Sequence, residues 1–135
     1  MKIAAISWAI REISCEDEFF GHLAELVGEA SGQGADLIVL PELPVLELLS
    51  LYPEVEQSSI AATLAVYTPR YVEELERLEA KTGAHIVGGS HIEGKQNVCR
   101  FGSRRQTKNV LTQWEIAEWG LEPGRGAAVW GDVGV

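Results

Sequence analysis

Cysteine is scarce in this chain: Cys15 and Cys99 are the only two in 135 residues. Two thiols cannot frame a disulfide scaffold, and so few of them point to a reducing compartment, so a cytoplasmic location is expected. Long apolar runs are missing as well. No stretch approaches the roughly 20 residues of a membrane span. The opening MKIAAISWAI has no small-residue cleavage pattern behind it and reads as a strand, not a signal peptide. Basic residues are outnumbered, 11 Lys and Arg against 20 Asp and Glu, for a formal charge of −9. That field repels phosphate backbones and anionic membrane surfaces. The one local basic cluster, Arg100, Arg104, Arg105 and Lys108, lacks the aromatic-rich or helix-turn-helix patterning of a nucleic-acid binder. Neither nucleic acid nor membrane is expected as a partner. With no repeat and no low-complexity tract, an ordinary apolar content at this length predicts a single globular domain.

What is present is a pattern of strands and helices in alternation. KIAAISWA (2–9) reads as a mostly apolar strand covered on both faces. A helix follows, with Ser14 and Asp17 as a weak capping cue and Phe19, Leu23, Leu26 and Val27 on one stripe. LIVLPE (37–42) is a second strand, stopped by Pro41, so the first 42 residues predict a βαβ unit with parallel strands. Residues 43–68 hold Pro44 and Pro53 among apolar runs and predict a long connection with short helical pieces. PRYVEELERLEAKTG (69–83) predicts a helix with Tyr71, Leu75, Leu78 and Lys81 in register, closed by Gly83. AHIVGGS (84–90) is a third strand. Residues 97–107 predict a hairpin about Gly102-Ser103, a dipeptide suited to a type II′ turn. The stretch 109–126 predicts loop plus a short helix near WEIAEW, and AVW (128–130) and VGV (133–135) read as strand segments about a Gly131-Asp132 turn.

Two residues stand where chemistry would be placed. Glu42 follows a buried parallel strand directly, at the end where open α/β sheets put their ligand groups; by position alone a solvated loop acid is the plainer alternative. Lys108 ends the hairpin and, taken alone, reads as a surface lysine. Other signals are weaker. His85, His91 and Glu93 do not match the spacing of a helical zinc motif. His91 reads as a loop residue near the pocket and His85 as strand packing. GRGAAVWG (124–131) precedes a strand, which excludes the dinucleotide fingerprint. Trp114 and Trp119 suit either a pocket wall or the core. Each cysteine reads as a small buried hydrophobe, and Cys15 has Glu16, Asp17 and Glu18 opposing any thiolate.

Taken together, GADLIVLPEL (34–43), HIVGGSH (85–91), Asn97, KNVLTQWE (108–115) and WGLEPG (119–124) resemble, in that order and over nearly the whole chain, the nitrilase or carbon–nitrogen hydrolase superfamily. The resemblance implies an α/β fold, an α-β-β-α sandwich of which residues 1–135 make about the first half. It implies Glu42 as general base, Lys108 as oxyanion-facing ammonium and Glu115 as the second carboxylate that orients the lysine. Small linear amides or nitriles are the implied substrates, with no metal and no organic cofactor. The arm from Asn97 to Lys108 is shorter than family members usually have. The family's nucleophilic cysteine would follow a strand like GDVGV, and Val135 stands just before that point.

The expectation is therefore a partial carbon–nitrogen hydrolase domain over 1–135, inactive without the thiol. It is expected to assemble, as a homo-oligomer or with the missing half. Alternatives are an inactive truncated remnant serving as a folded or assembling module, and an unrelated small α/β ligand-binding domain.

Overall fold

In the computed structural model, described here for residues 1–127, five strands form one mixed sheet in the order β1-β2-β3-β4-β5. They are β1 (Ile3–Ala5), β2 (Leu37–Val39), β3 (His85–Glu93), β4 (Gln96–Phe101) and β5 (Arg104–Thr107). The first three run parallel, with Ile3 level with Leu37 and Leu37 level with His85. The last three form an antiparallel meander. Between the strands lie α1 (Glu16–Gly32), α2 (Ile60–Ala65) and α3 (Thr68–Thr82), with 3-10 turns at Pro44–Leu51 and Gln57–Ser59, and α4 (Gln113–Ala117) follows β5. The fold is thus α/β, as expected. The strand expectations in AVW and VGV lie outside the described residues.

Among the described residues, helices cover one face of the sheet. Helices α1 and α3 pack on each other, on β2 and on β3 respectively. Phe19, Leu23 and Val27 of α1 and Tyr71, Leu75 and Leu78 of α3 meet Ile38 and Ile86 there. Leu26 is only partly buried and Lys81 is exposed, so the apolar stripe of α1 runs through Phe20 and Ala30 instead. On the opposite face Ile3 and Ala5 are exposed, and Leu37, Val39 and Val87 are half-buried. The expectation of a first strand covered on both sides is corrected: β1 spans three residues and its outward side chains meet no layer among the described residues.

Two glycines shape the meander. At Gly102 (φ 55°) the hairpin turns in the conformation that a type II′ turn demands of its first central residue, as expected. At Gly89 (φ 59°) β3 bulges. Val87 pairs with Phe101 and Ser90 with Cys99, so β3 uses one residue more than β4 across that step. The extra residue keeps β3 in the sheet well past the predicted end at residue 90. It also turns Ser90 toward the open face, where Asn97 of β4 already points, while His91 and Val98 stay on the helix side.

Candidate active site

Three separate segments deliver three charged side chains to one point on the open face. Glu42 lies just past β2, Lys108 just past β5, and Glu115 in the first turn of α4. The Lys108 Nζ donates to Glu42 Oε1 at 2.7 Å and to Glu115 Oε1 and Oε2 at 3.0 and 3.1 Å. Asn97, on β4, donates through Nδ2 to Glu115 Oε1 at 3.2 Å and, more weakly, to Glu42 Oε1 at 3.5 Å. The Lys108 backbone N–H bonds the Asn97 carbonyl at 2.8 Å, which fixes the lysine's starting point at the sheet edge.

The two carboxylates differ sharply in environment. The Glu115 side chain is 0% exposed and that of Glu42 is 59% exposed. Glu115 is locked by its own helix start. Thr112 accepts from the Glu115 N–H, and Glu115 Oε2 accepts from the Thr112 N–H at 2.7 Å, a reciprocal capping box. The T-x-x-E spacing of Thr112 and Glu115 is the sequence signal for this. Burial would raise the Glu115 pKa, but the Thr112 amide, Lys108, Asn97 and the Thr112 hydroxyl outweigh it and hold the carboxyl below its ordinary value. For Lys108 partial burial pulls downward, yet the bonds to Glu42 and Glu115 prevail and hold the ammonium above its ordinary value. The result is an ammonium fixed between a buried anion and a half-open one.

Beside this cluster is a cavity of about 350 Å³ lined by Leu40, Pro41, Val87, Cys99, Asn97 and Lys108, among others, with Glu42 at its wall. Cys99 is half-buried there, and burial pushes its thiol pKa up, away from thiolate. Cys15 is exposed at the start of α1 and is not part of the lining, contrary to its reading as a buried hydrophobe.

Glu42 is aimed by a strained backbone. Leu43 sits in the left-handed region (φ 51°, ψ 50°), which costs a non-glycine residue about 1–2 kcal/mol and persists only where neighbours enforce it. Beyond it, the 3-10 turn Pro44–Leu51 is anchored by the fully buried Glu47. This carboxylate accepts from the Trp8 indole at 2.9 Å and the Arg11 N–H at 3.1 Å and contacts His22 Nδ1 at 3.0 Å. Glu47 and His22 escaped the sequence reading, although an acid inside the apolar run PVLELLSL is the signal that could have found them.

The remaining candidates go elsewhere. His91 is not a loop residue at the pocket: it is buried on β3 against Tyr71, on the helix side of the sheet. Burial, with Arg100 beside it, lowers its pKa to about 4, so it is neutral near pH 7. His85 packs against Phe101, as expected of a strand residue. Trp119 is buried, Trp114 is about half exposed, and neither lines the cavity. Arg100 and Arg105 both pair with Glu93, which disperses the basic cluster. Among the described residues no group of three or more His, Cys, Asp and Glu side chains is placed to hold a metal ion. Nor is any helix among them long and apolar enough to cross a membrane.

No family model matches the chain. Among curated proteins it is similar to the probable hydrolase YhcX of Bacillus subtilis (strain 168), with 29% identity over 133 residues. The match covers 92% of this chain and 26% of the relative, so the chain spans about a quarter of the length of the protein it matches.

Proposed function

We propose that this chain carries the carboxylate–ammonium part of a hydrolase site of the carbon–nitrogen hydrolase type, acting on small linear amides. The carrying observation is the convergence of Glu42, Lys108 and Glu115 from three separate segments within hydrogen-bond distance of one Nζ. The name of the bacterial relative supports hydrolysis at the coarser level.

The chemistry follows from the two environments. A half-exposed carboxylate beside an apolar cavity suits a general base: it takes a thiol proton as sulfur attacks the amide carbon and returns it to the leaving nitrogen. The C–S bond forms, the C–N bond breaks, and water then cleaves the thioester. Lys108, kept protonated, faces the oxygen on which negative charge develops, where a fixed cation in a sheltered site is worth most. Glu115 and Asn97 hold that cation in place. The thiol is the missing part. Burial raises the Cys99 thiol pKa, which disfavours a thiolate there, so in this reading the nucleophile is a cysteine outside residues 1–135.

The encoding reading frame and an ammonia-release assay test this together. A frame continuing into a cysteine-bearing strand is expected, with Glu42→Gln lowering release from small amides in the whole product by roughly 10²-fold or more. Residues 1–135 alone should release none. Steady release by 1–135 that Cys99→Ser abolishes and Cys15→Ser does not would place the nucleophile at Cys99 instead. The second reading, an inactive folded or assembling module, is favoured by the raised Cys99 thiol and would be supported by a stop codon after Val135.

We further propose that 1–135 self-associates through the open sheet face. Ile3, Ala5, Leu37, Val39 and Val87 form an apolar surface there, of the kind that sheet-on-sheet packing covers. Light scattering at micromolar concentration should give more than the monomer mass of 14.7 kDa. Val39→Lys should return the monomer, whereas a wild-type monomer with a cooperative melt would rule the association out.

A further inference from the structure

We propose that the Gly89–Ser90 bulge of β3 is the positioning element for Glu42, clamping the peptide on either side of it. This inference rests on the reading of Glu42 as the base. On the N-terminal side, Gly89 lies so close to the Pro41 carbonyl oxygen that any Cβ at 89 would overlap it, and its φ of 59° is one that side chains rarely adopt. On the C-terminal side, the Ser90 hydroxyl oxygen accepts from the Leu43 N–H at 3.1 Å. Glu42 lies between those two contacts.

The bulge itself is held from behind. Tyr71 of α3 donates its hydroxyl to the Gly88 carbonyl at 2.8 Å, and Leu75 fills the space where a Gly88 side chain would stand. Leu40 is still paired with β3, its N–H donating to the Val87 carbonyl at 3.0 Å. The chain therefore leaves the sheet only after Leu40, passes over Gly89, and is caught again by Ser90. The left-handed Leu43 is what this second contact enforces. A regular strand at 87–90 would leave no room for the Pro41 carbonyl and would point the residue at 90 to the other face, since one residue of register reverses every side chain. Backbone strain beside a charged side chain is thus explained by the side chain's placement: it brings the Glu42 carboxylate to Lys108.

Ser90→Ala, with Ser90→Thr as the conservative rescue, tests the clamp in 1–135. The readout is the proton of Lys108, followed by NMR titration of its side chain. In Ser90→Ala the Glu42 contact loosens, and the Lys108 pKa should fall by roughly 0.5–1 pH unit. The titration of Glu115, which is locked by Thr112, should stay put. Ser90→Thr keeps the hydroxyl and should restore the wild-type titration. A purely structural role would lower the melting temperature of Ser90→Ala without moving Lys108; that result overturns the proposal, as does a Ser90→Thr variant that shifts Lys108 equally. Should Ser90→Ala fail to fold, amide exchange in the wild type decides: Leu43 is expected to be protected, and exchange at the rate of an open loop overturns the clamp. Lys108 titration can fail while amide hydrolysis by the whole product still depends on Glu42, and the reverse, so failure of the clamp is distinguishable from failure of the reading of Glu42 as the base.

Discussion

Lys108→Met is expected to destabilise the fold by about 3 kcal/mol at pH 7, because it leaves the fully buried Glu115 carboxylate without its cation. The Thr112 and Asn97 bonds remain, so the loss falls at the low end of what breaking a buried pair costs. Adding Glu115→Gln should recover most of it, since the amide needs no counter-charge. The pH dependence has a defined sign. The Glu115 pKa is depressed in the fold, so its stabilisation is present above the ordinary 4.5 and is lost as pH falls through the folded value. The Lys108 pKa is raised, so its contribution is present below the ordinary 10.5 and is lost as pH rises through the folded value. The gap between wild type and Lys108→Met should therefore shrink below pH 4.5 and again above 10.5. Urea unfolding across that range measures it. A gap that stays constant down to pH 3 would mean that Lys108 and Glu115 do not stabilise one another.

Glu47→Ala should cost about 4 kcal/mol, the other large effect expected of a single substitution. Three partners converge on this one side chain: the Trp8 indole, the Arg11 amide and His22. Truncation strands all three beside a new void, whereas Glu47→Gln preserves an acceptor oxygen and should cost less than half as much. The Trp8 ring lies near Phe19 and His22, so its fluorescence, read with the other three tryptophans replaced by phenylalanine, reports the same site. A shift toward longer wavelength is expected in the folded Glu47→Ala protein as the indole loses its acceptor. Loss of less than about 1 kcal/mol would show that these donors find water instead. Because Glu47 lies in the turn that follows Glu42, the substitution also frees the far end of the segment that Ser90 holds at the near end.

Local pattern was enough for the elements whose residues carry their own instructions. The 3.6-residue spacing of Tyr71, Leu75 and Leu78 marks α3 with its end at Gly83. LIV before Pro41 marks β2, and Gly102-Ser103 marks the turn of the β4–β5 hairpin. It was not enough for the site: by position alone Glu42 has a solvated loop acid as the plainer alternative and Lys108 reads as a surface lysine, and Glu42, Lys108 and Glu115 are singled out together only by the order of motifs that resembles the carbon–nitrogen hydrolases. Element patterns are properties of neighbouring residues, so they can be read in one dimension.

What one dimension does not hold is which side of the sheet each of them faces and what meets it there. A β-bulge at Gly89 reverses the sidedness of the β3 residues after it, sending His91 to the core and Ser90 to the open face. No periodicity announces a single extra residue. The partners of Glu47 lie 25 to 39 residues away in sequence, and the Nζ of Lys108 spans 66 residues to reach Glu42. Such pairings exist only once loop closure has brought the segments together. Residue types and their order named the charged groups of this protein; the tertiary fold decided that they share one proton-bearing centre, because only packing sets the distances at which charges feel each other.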